Sequence, residues 1–456
     1  MAAKPTIPQG TRDFSADIIR KREYILTTIK NIFELYGYQP LETPAFENTE
    51  TLLGKYGEEG DKLIFKILNN GLTNEKNIEK TKQGFEQLLA GKVSADITER
   101  ALKYDLTIPF ARYVAMNHTK LVFPFKRYQV QNVWRADRPQ KGRYREFTQC
   151  DADVVGSYNL LNDAELAMIY DEVFKKLGLK DYELKINSRK ILSALATTCN
   201  ASNKLTDITI AIDKLDKIPF EKVKAELQQK QLTEEQIGII EKYVSIKGSN
   251  DEKIEQVTAL LGSSDEAGRG IEEIKYILHK ATATNITVDF SLARGLNYYT
   301  GIIYEAKAPA TVNMGSIGGG GRYDDLTGLF GLPDMPGVGI SFGIDRIYDV
   351  LEELKLFPEN LQQGTKVLFF NMGAKESSFA FELMQQLRKN NISCELFLEE
   401  AKLAKQFSYA EKKNISWAVI IGSKEIEQQY CQVKNIVTAQ QHIVPFEGLI
   451  NFFNTN

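Results

Sequence analysis

Arginines, carboxylates and tyrosines are the side chains through which this sequence can do chemistry, because histidine, cysteine and phosphate-loop chemistry have little material. Only three histidines occur, His118, His279 and His442, and they are scattered. The four cysteines, Cys150, Cys199, Cys394 and Cys431, form no C-x-x-C pair and no zinc spacing. There is no G-x-x-x-x-G-K-S/T phosphate loop, no G-x-G-x-x-G after a strand, and no H-E-x-x-H. A nucleotide bound here must have its phosphates held by arginines. Residues 126 to 146 supply them: Lys126, Arg127, Arg135, Arg138, Lys141, Arg143 and Arg145 against Asp137 and Glu146, a local charge of +5. Alone, such a run fits a solvated hairpin as well as a phosphate site.

The stretch Gln149 to Val155 alternates, which puts Gln149, Asp151 and Asp153 on one strand face and Cys150, Ala152 and Val154 on the other. Two carboxylates on one face are costly unless solvated or paired, so the face meets either water or a ligand. Arg135 and Arg143 on the neighbouring hairpin favour a pocket for a cationic or multi-donor ligand. Three further runs stand out. Ala293 to Gly301 sets Arg294 among small residues ahead of paired Tyr298 and Tyr299. Ser316 to Asp324 carries four consecutive glycines, the mark of a close backbone approach or of a flexible surface turn. Gly337 to Arg346 reads as a small-residue strand running into a helix, with glycines that let a ligand lie flat on the sheet.

The elements that must position these residues follow from periodicity. Residues 16 to 36 form an amphipathic helix, with Ile25, Ile29, Ile32, Phe33 and Tyr36 on one face and Gly37 as the stop. Short strands are expected near Leu63 to Leu68 and Arg100 to Leu106, with a helix or mobile loop between Asn69 and Thr98. Phe125–Trp134 and Glu146–Val155 should pair antiparallel across the basic loop. A helix over 164 to 177 and a strand at Tyr182 to Ile186 precede a polar helical stretch from Arg189 to Ala283. Strands return at Thr287 to Leu292 and Ile302 to Ala306, and a helix at Ile344 to Leu354. After a linker near Pro358 to Gly364, alternating strands and helices make a separate α/β domain.

With 456 residues the chain is long enough for several domains, and 57 basic against 60 acidic residues give a net charge of −3. Any nucleic acid must therefore be held by local patches. No apolar run approaches bilayer-spanning length, and the start MAAKPTIPQG lacks a signal-peptide pattern, so no membrane role and a cytoplasmic location are expected.

These motifs together resemble the class II aminoacyl-tRNA synthetases, and among them the histidyl-tRNA synthetase family, over essentially the whole chain. Tyr38 to Glu50, with Pro44, is similar to motif 1, Arg135 to Phe147 to the motif 2 loop, and Gly337 to Arg346 to motif 3. Ala293 to Gly301 and Gly319 to Asp324 resemble the two histidine-specific signatures, and the tail from Val367 resembles the class IIa anticodon-binding domain. The resemblance implies an α+β fold: an antiparallel catalytic sheet flanked by helices, in two parts (1–188 and 284–357) around a helical insertion (189–283), with an anticodon-binding domain at 364–456. It implies activation of L-histidine with ATP and Mg²⁺, transfer to the 3′ end of tRNA(His), and a homodimer.

Residue roles follow from the same resemblance. Arg135, Asp137, Arg143, Phe147 and Arg346 are expected to bind ATP, with Arg135 and Arg294 catalytic at the α-phosphate. Asp105, Thr107, Gln149, Asp153, Arg294, Tyr298, Tyr299 and Tyr323 are expected around histidine. Arg138, Gln140 and Lys141 are expected to reach tRNA. Asp105 and Asp153 stand where bacterial relatives commonly carry Glu, a form closer to the eukaryote-like branch, and Asn297 replaces a usual Asp. Two rival readings are a synthetase-like regulatory subunit of histidine biosynthesis, which usually lacks the tail, and a threonine, proline or glycine synthetase, which lacks the Arg294 run.

Overall fold

A computed structural model describes residues 4–262, 264–282, 285–293, 298–358, 361 and 364–455. The chain divides into two compact units, Met1–Phe357 and Pro358–Asn456.

The first unit is built on a mixed, mostly antiparallel eight-stranded sheet. Its spatial order is Gln39–Pro40, Phe125–Trp134, Glu146–Val155, Gly337–Gly343, Ser316–Tyr323, Ile302–Lys307, Glu183–Ser188, Ile286–Val288. Only the two outermost pairings are parallel. The alternation in Glu146–Val155 decides which face is the core. Cys150, Ala152 and Val154 are buried in one apolar cluster with Ile25, Ile29, Ile32 and Phe33 of helix Ala16–Leu35, and with Leu166, Ile169, Tyr170 and Val173 of helix Leu161–Lys176. Phe33 stacks on Tyr128 and packs against Phe342, tying helix to sheet. The opposite face is left to the polar side chains.

The glycine run, which a surface turn would also explain, is an interior strand. Ser316–Tyr323 pairs with Ile302–Lys307 on one side and Gly337–Gly343 on the other. A Cβ on Gly320 would stand 2.2 Å from Gly339 O, so close strand approach requires glycine there. The strand expected at Leu63–Leu68 shrinks to Lys66–Ile67 and that at Arg100–Leu106 to Arg100–Leu102; with Phe46–Asn48 they form a small three-stranded sheet. Asp105 lies between strand Arg100–Leu102 and helix Thr107–Asn117 and accepts from Ile108 N–H in the helix's first turn at 3.2 Å. The polar segment after Leu68 contains helix Ile78–Leu89.

Between Arg189 and Lys280 the described chain forms six α-helices and two 3₁₀ turns. Two begin with reciprocal capping boxes, Thr233 with Gln236 and Ser249 with Glu252, which is how these polar sequences satisfy their first N–H groups. The second unit has a five-stranded sheet: Cys394–Leu396, Val367–Phe369 and Trp417–Ile420 run parallel, then Tyr430–Asn435 and Gln441–Pro445 add antiparallel. All four cysteines are buried and unpaired. No described helix is long and apolar enough to cross a membrane.

Candidate active site

The polar face of the large sheet is a row of side chains set by register. Arg127 lies opposite Asp153, Gln129 opposite Asp151, and Gln131 opposite Gln149; on the other side Gly339 faces Asp153 and Ser341 faces Asp151. Around Arg127, Gln129, Asp151 and Asp153 this face does not meet bulk water, while Gln131, Gln149 and Ser341 are half-buried. Arg127 is 0% exposed, Asp151 3% and Asp153 2%.

Arg127 makes that burial tolerable. Its Nη2 is 2.8 Å from Asp153 Oδ2, and its guanidinium lies 4.2 Å from the centre of the Phe110 ring. Asp153 also accepts from Tyr323 OH at 2.7 Å. Burial still raises the Asp153 carboxyl above its ordinary value, against the pull of Arg127 and the tyrosine. Asp151 is pushed up to about 7 by burial, with Asp153 adding to it and Arg127 opposing. Asp105, raised chiefly by burial, accepts from Tyr56 OH at 2.9 Å and Tyr298 OH at 3.4 Å.

These groups line a small cavity of about 60 Å³, bounded by Asp105, Thr107, Gln149, Asp151, Asp153 and Tyr298, with Tyr299 and Tyr323. Asp151 Oδ1 and Gln149 Oε1 are buried in its wall without a hydrogen-bond partner among the described residues. The cavity therefore offers acceptors to a ligand rich in N–H groups.

A larger cavity of about 500 Å³ adjoins it, sharing Arg135, Gln149, Tyr299, Gly319 and Ser341. Its other walls include Tyr104, Asp137, Arg143, Phe147, Glu305 and Arg346. Arg135 sits between two rings, 4.3 Å from the Tyr104 centroid and 5.1 Å from that of Phe147, and its Nε donates to Tyr104 O at 3.1 Å. Arg346 donates from Nε to Gly142 O at 2.8 Å and from Nη1 to Ser316 O at 2.6 Å, joining the basic loop to the glycine strand. Arg143 lies 3.9 Å from Asp137. Gly319 is the open floor: a Cβ there would meet nothing nearer than Tyr304 O at 3.3 Å.

The structure thus brings together Asp105, Thr107, Gln149, Asp153, Tyr298, Tyr299 and Tyr323 in one cavity, and Arg135, Asp137, Arg143, Phe147 and Arg346 in the other. Arg138, Gln140 and Lys141 line neither; they are exposed on the loop between the paired strands, and Lys141 is 3.3 Å from Glu353. Arg294 and Asn297 lie outside the described residues. Two readings need correction. The glycines at 337 and 339 are filled by the protein itself, since Cβ atoms there would stand 2.2 Å from the Tyr323 ring and 2.0 Å from Asp153 Oδ1. The basic run is not one surface patch: Arg127 is buried, Lys126 pairs with Glu165 at 2.5 Å, and Arg145 donates to Asp137 O at 3.2 Å. Sequence reasoning set Asp151 on the ligand-facing side of its strand and counted Arg127 in the basic run without giving either a role in the site, and it missed Tyr56. The strand alternation was the available signal for Arg127 and Asp151, while nothing local marks Tyr56.

Similarity to known proteins agrees with this geometry. Residues 87–347 match the family model of histidyl-tRNA synthetase, and residues 366–456 that of an anticodon binding domain. The chain is 52% identical to the histidine–tRNA ligase of Flavobacterium johnsoniae, covering 98% of this chain and 99% of that one. It is 50% identical to that of Christiangramia forsetii, covering 98% and 99%. Among solved structures, histidyl-tRNA synthetase from a Nostoc species superposes with a TM-score of 0.81 at 31% identity, covering 100% of both chains. With a catalytic sheet carrying adjoining arginine-lined and carboxylate-lined cavities, and near-complete coverage at half identity, this chain belongs to the histidyl-tRNA synthetase family of class II aminoacyl-tRNA synthetases.

Proposed function

We propose that this chain is a histidine–tRNA ligase that activates L-histidine with ATP, releasing pyrophosphate, and then transfers the histidyl group to tRNA(His), releasing AMP. The observation that carries the reading is the adjacency of the two cavities across Arg135, Gln149, Tyr299, Gly319 and Ser341. One has the donors for phosphates and rings for a base; the other has acceptors for an ammonium group and an imidazole.

The histidine carboxylate attacks the α-phosphorus in line, and negative charge grows on the non-bridging oxygens, where Arg135 is available to stabilise it. Phe147 and Arg346 are the flat groups for the adenine, and Arg143 serves the phosphates. Asp105 and Thr107 take the α-amino group, Gln149 the carboxylate region, and Asp153 with Tyr298, Tyr299 and Tyr323 the imidazole. Arg294, by resemblance, is the second arginine at the α-phosphate. Acceptors left unpaired by a wrong side chain give selectivity of roughly 10⁴–10⁵ in sites of this kind.

Among the described residues no group of three or more His, Cys, Asp or Glu side chains could hold a metal ion. The acidic side chains do not fit a protein cage for Mg²⁺, and Asp345, the carboxylate next to Arg346, is taken by Arg12 and Arg22. The ion expected with ATP needs no such cage: it is held chiefly by phosphates and water with one or two carboxylates, and Glu305 stands in the wall of the larger cavity.

The insertion at 189–283 and the loop tip at Arg138, Gln140 and Lys141 are the elements available to the tRNA acceptor end, and 364–456 to its anticodon. A homodimer through the motif 1 region is supported by exposed apolar Phe46 and Met116; Arg112 pairs with Glu47, the neighbour of Phe46, and contacts Met116 Sδ at 3.5 Å.

The test is ATP/pyrophosphate exchange with each of the twenty amino acids. Exchange with histidine alone, lost on Arg135→Ala, is expected. Histidine binding without exchange would turn the reading to a regulatory subunit.

A further inference from the structure

The segment from Pro8 to Phe14 lies outside any helix or strand, yet it touches both halves of the nucleotide cavity. Gly10 O accepts from Arg145 N at 2.8 Å, and Arg145 O accepts from Arg135 N at 2.9 Å. Gly10 has φ +84°, and a Cβ there would stand 2.8 Å from Arg145 Cγ, so this approach requires glycine. Two residues on, the Arg12 guanidinium lies 3.2 Å from the centre of the Tyr144 ring, and its Nη2 donates to Asp345 Oδ1. Asp345 also accepts from Arg22 Nη1 at 2.6 Å and from Thr148 N at 3.2 Å. Phe14 lies between the two guanidinium groups, 4.9 Å from Arg12 and 4.5 Å from Arg22.

Loop residues 142 and 144 are thus held by two arginines, Gly142 by Arg346 and Tyr144 by Arg12, and both holds converge on the adjacent residues Asp345 and Arg346. Arg143, between them, lines the cavity.

We propose that Arg12 is a positioning residue for the nucleotide. It fastens the basic loop to the start of helix Ile344–Glu353, so that Arg143 and Arg346 stand in place around ATP before it binds. The proposal rests on the adenylation reading above. A loop held in advance spares ATP the cost of ordering it, a saving that appears in ATP affinity. The side-chain partners of Arg12 are Asp345, Phe14 and Tyr144, and none of them lines the carboxylate cavity, so histidine affinity is untouched.

The experiment is histidine-dependent ATP/pyrophosphate exchange, titrated in ATP and separately in histidine, for the full chain and its Arg12→Ala, Arg12→Lys and Tyr144→Leu variants. Arg12→Ala and Tyr144→Leu should each raise KM for ATP roughly tenfold, with KM for histidine unchanged. Combining them should cost little more than Arg12→Ala alone, because the contact that Tyr144→Leu removes is already lost with Arg12. Arg12→Lys keeps the ion pair with Asp345 but not the flat stacking, and should fall between. An unchanged KM for ATP in Arg12→Ala would overturn the proposal. So would a parallel rise in both Michaelis constants with a lowered unfolding temperature, the sign of a merely structural role. A full chain with no histidine-dependent exchange would overturn the adenylation reading itself, and that arm is decided without any variant.

Discussion

Asp151→Asn tests whether the polar face is truly desolvated. The substitution keeps the shape of the side chain and removes its titration. In the unfolded chain the carboxyl has its ordinary value of 3.8; in the folded protein burial pushes it up to about 7. The folded state therefore holds this proton more tightly than the unfolded state. Its contribution to stability is fully present below the unfolded value and is lost as pH rises through the folded one. The span is about three pH units, and at 1.36 kcal/mol for each the loss between pH 4 and pH 8 is on the order of 4 kcal/mol. Asparagine carries none of that slope. The variant should gain on the parent from pH 5 to about pH 7 and level off by pH 8, while the raised Asp105 and Asp153 give both proteins a shared residual slope of the same sign. Urea unfolding at pH 5, 6.5 and 8 reads this, with Trp417→Phe as background so that Trp134, the only other tryptophan, reports on the first unit. Parallel pH profiles for the two proteins would refute the reasoning, since a solvated Asp151 would have no slope to lose.

Two further outcomes follow from the same contacts. Arg127→Met keeps the volume against Phe110 but leaves Asp153 buried without its cation, and should cost about 3–5 kcal/mol; adding Asp153→Asn should restore part of it, and additive losses in urea unfolding would deny the coupling. Lys141→Glu, at the exposed loop tip, should weaken charging of tRNA while leaving pyrophosphate exchange intact, and equal loss of both would remove Lys141 from the tRNA surface.

What the sequence made legible was decided by how local each cause is. The helix at Ala16–Leu35 and the pairing of Phe125–Trp134 with Glu146–Val155 rest on periodicity within one element, and they are seen. The alternation of Gln149, Asp151 and Asp153 against Cys150, Ala152 and Val154 predicted both faces of the central strand. It did not say whether the polar face met water, because Arg127, Tyr323 and Gly339 come from other strands. Tyr56 reaches Asp105 across 49 residues, and no spacing announces such a contact. The glycines of Ser316–Tyr323 were ambiguous for the same reason: a strand interior and a surface turn both require backbone freedom, and only the flanking strands decide between them.

The strand Gly337–Gly343 shows why this sheet accepts so much buried polarity. Gly337, Gly339, Ser341 and Gly343 share one face, while Val338, Ile340 and Phe342 share the other and are buried in the main core. The small face is what lets Tyr323 and Asp153 descend onto the sheet and meet at 2.7 Å. The polarity extends past the cavities to Lys103, 1% exposed, whose amine donates to Gln131 Oε1 at 2.7 Å and Thr43 O at 3.2 Å and is brought down by burial to about 8. Each such group weakens the fold unless paired, and a sheet selected for stability alone would replace them with valine and isoleucine, as its other face does. On the reading proposed above, their place along one face, in register across three strands, has its physical explanation in a ligand whose own charges and N–H groups complete the network, which is the demand that histidine and ATP would make of the sheet.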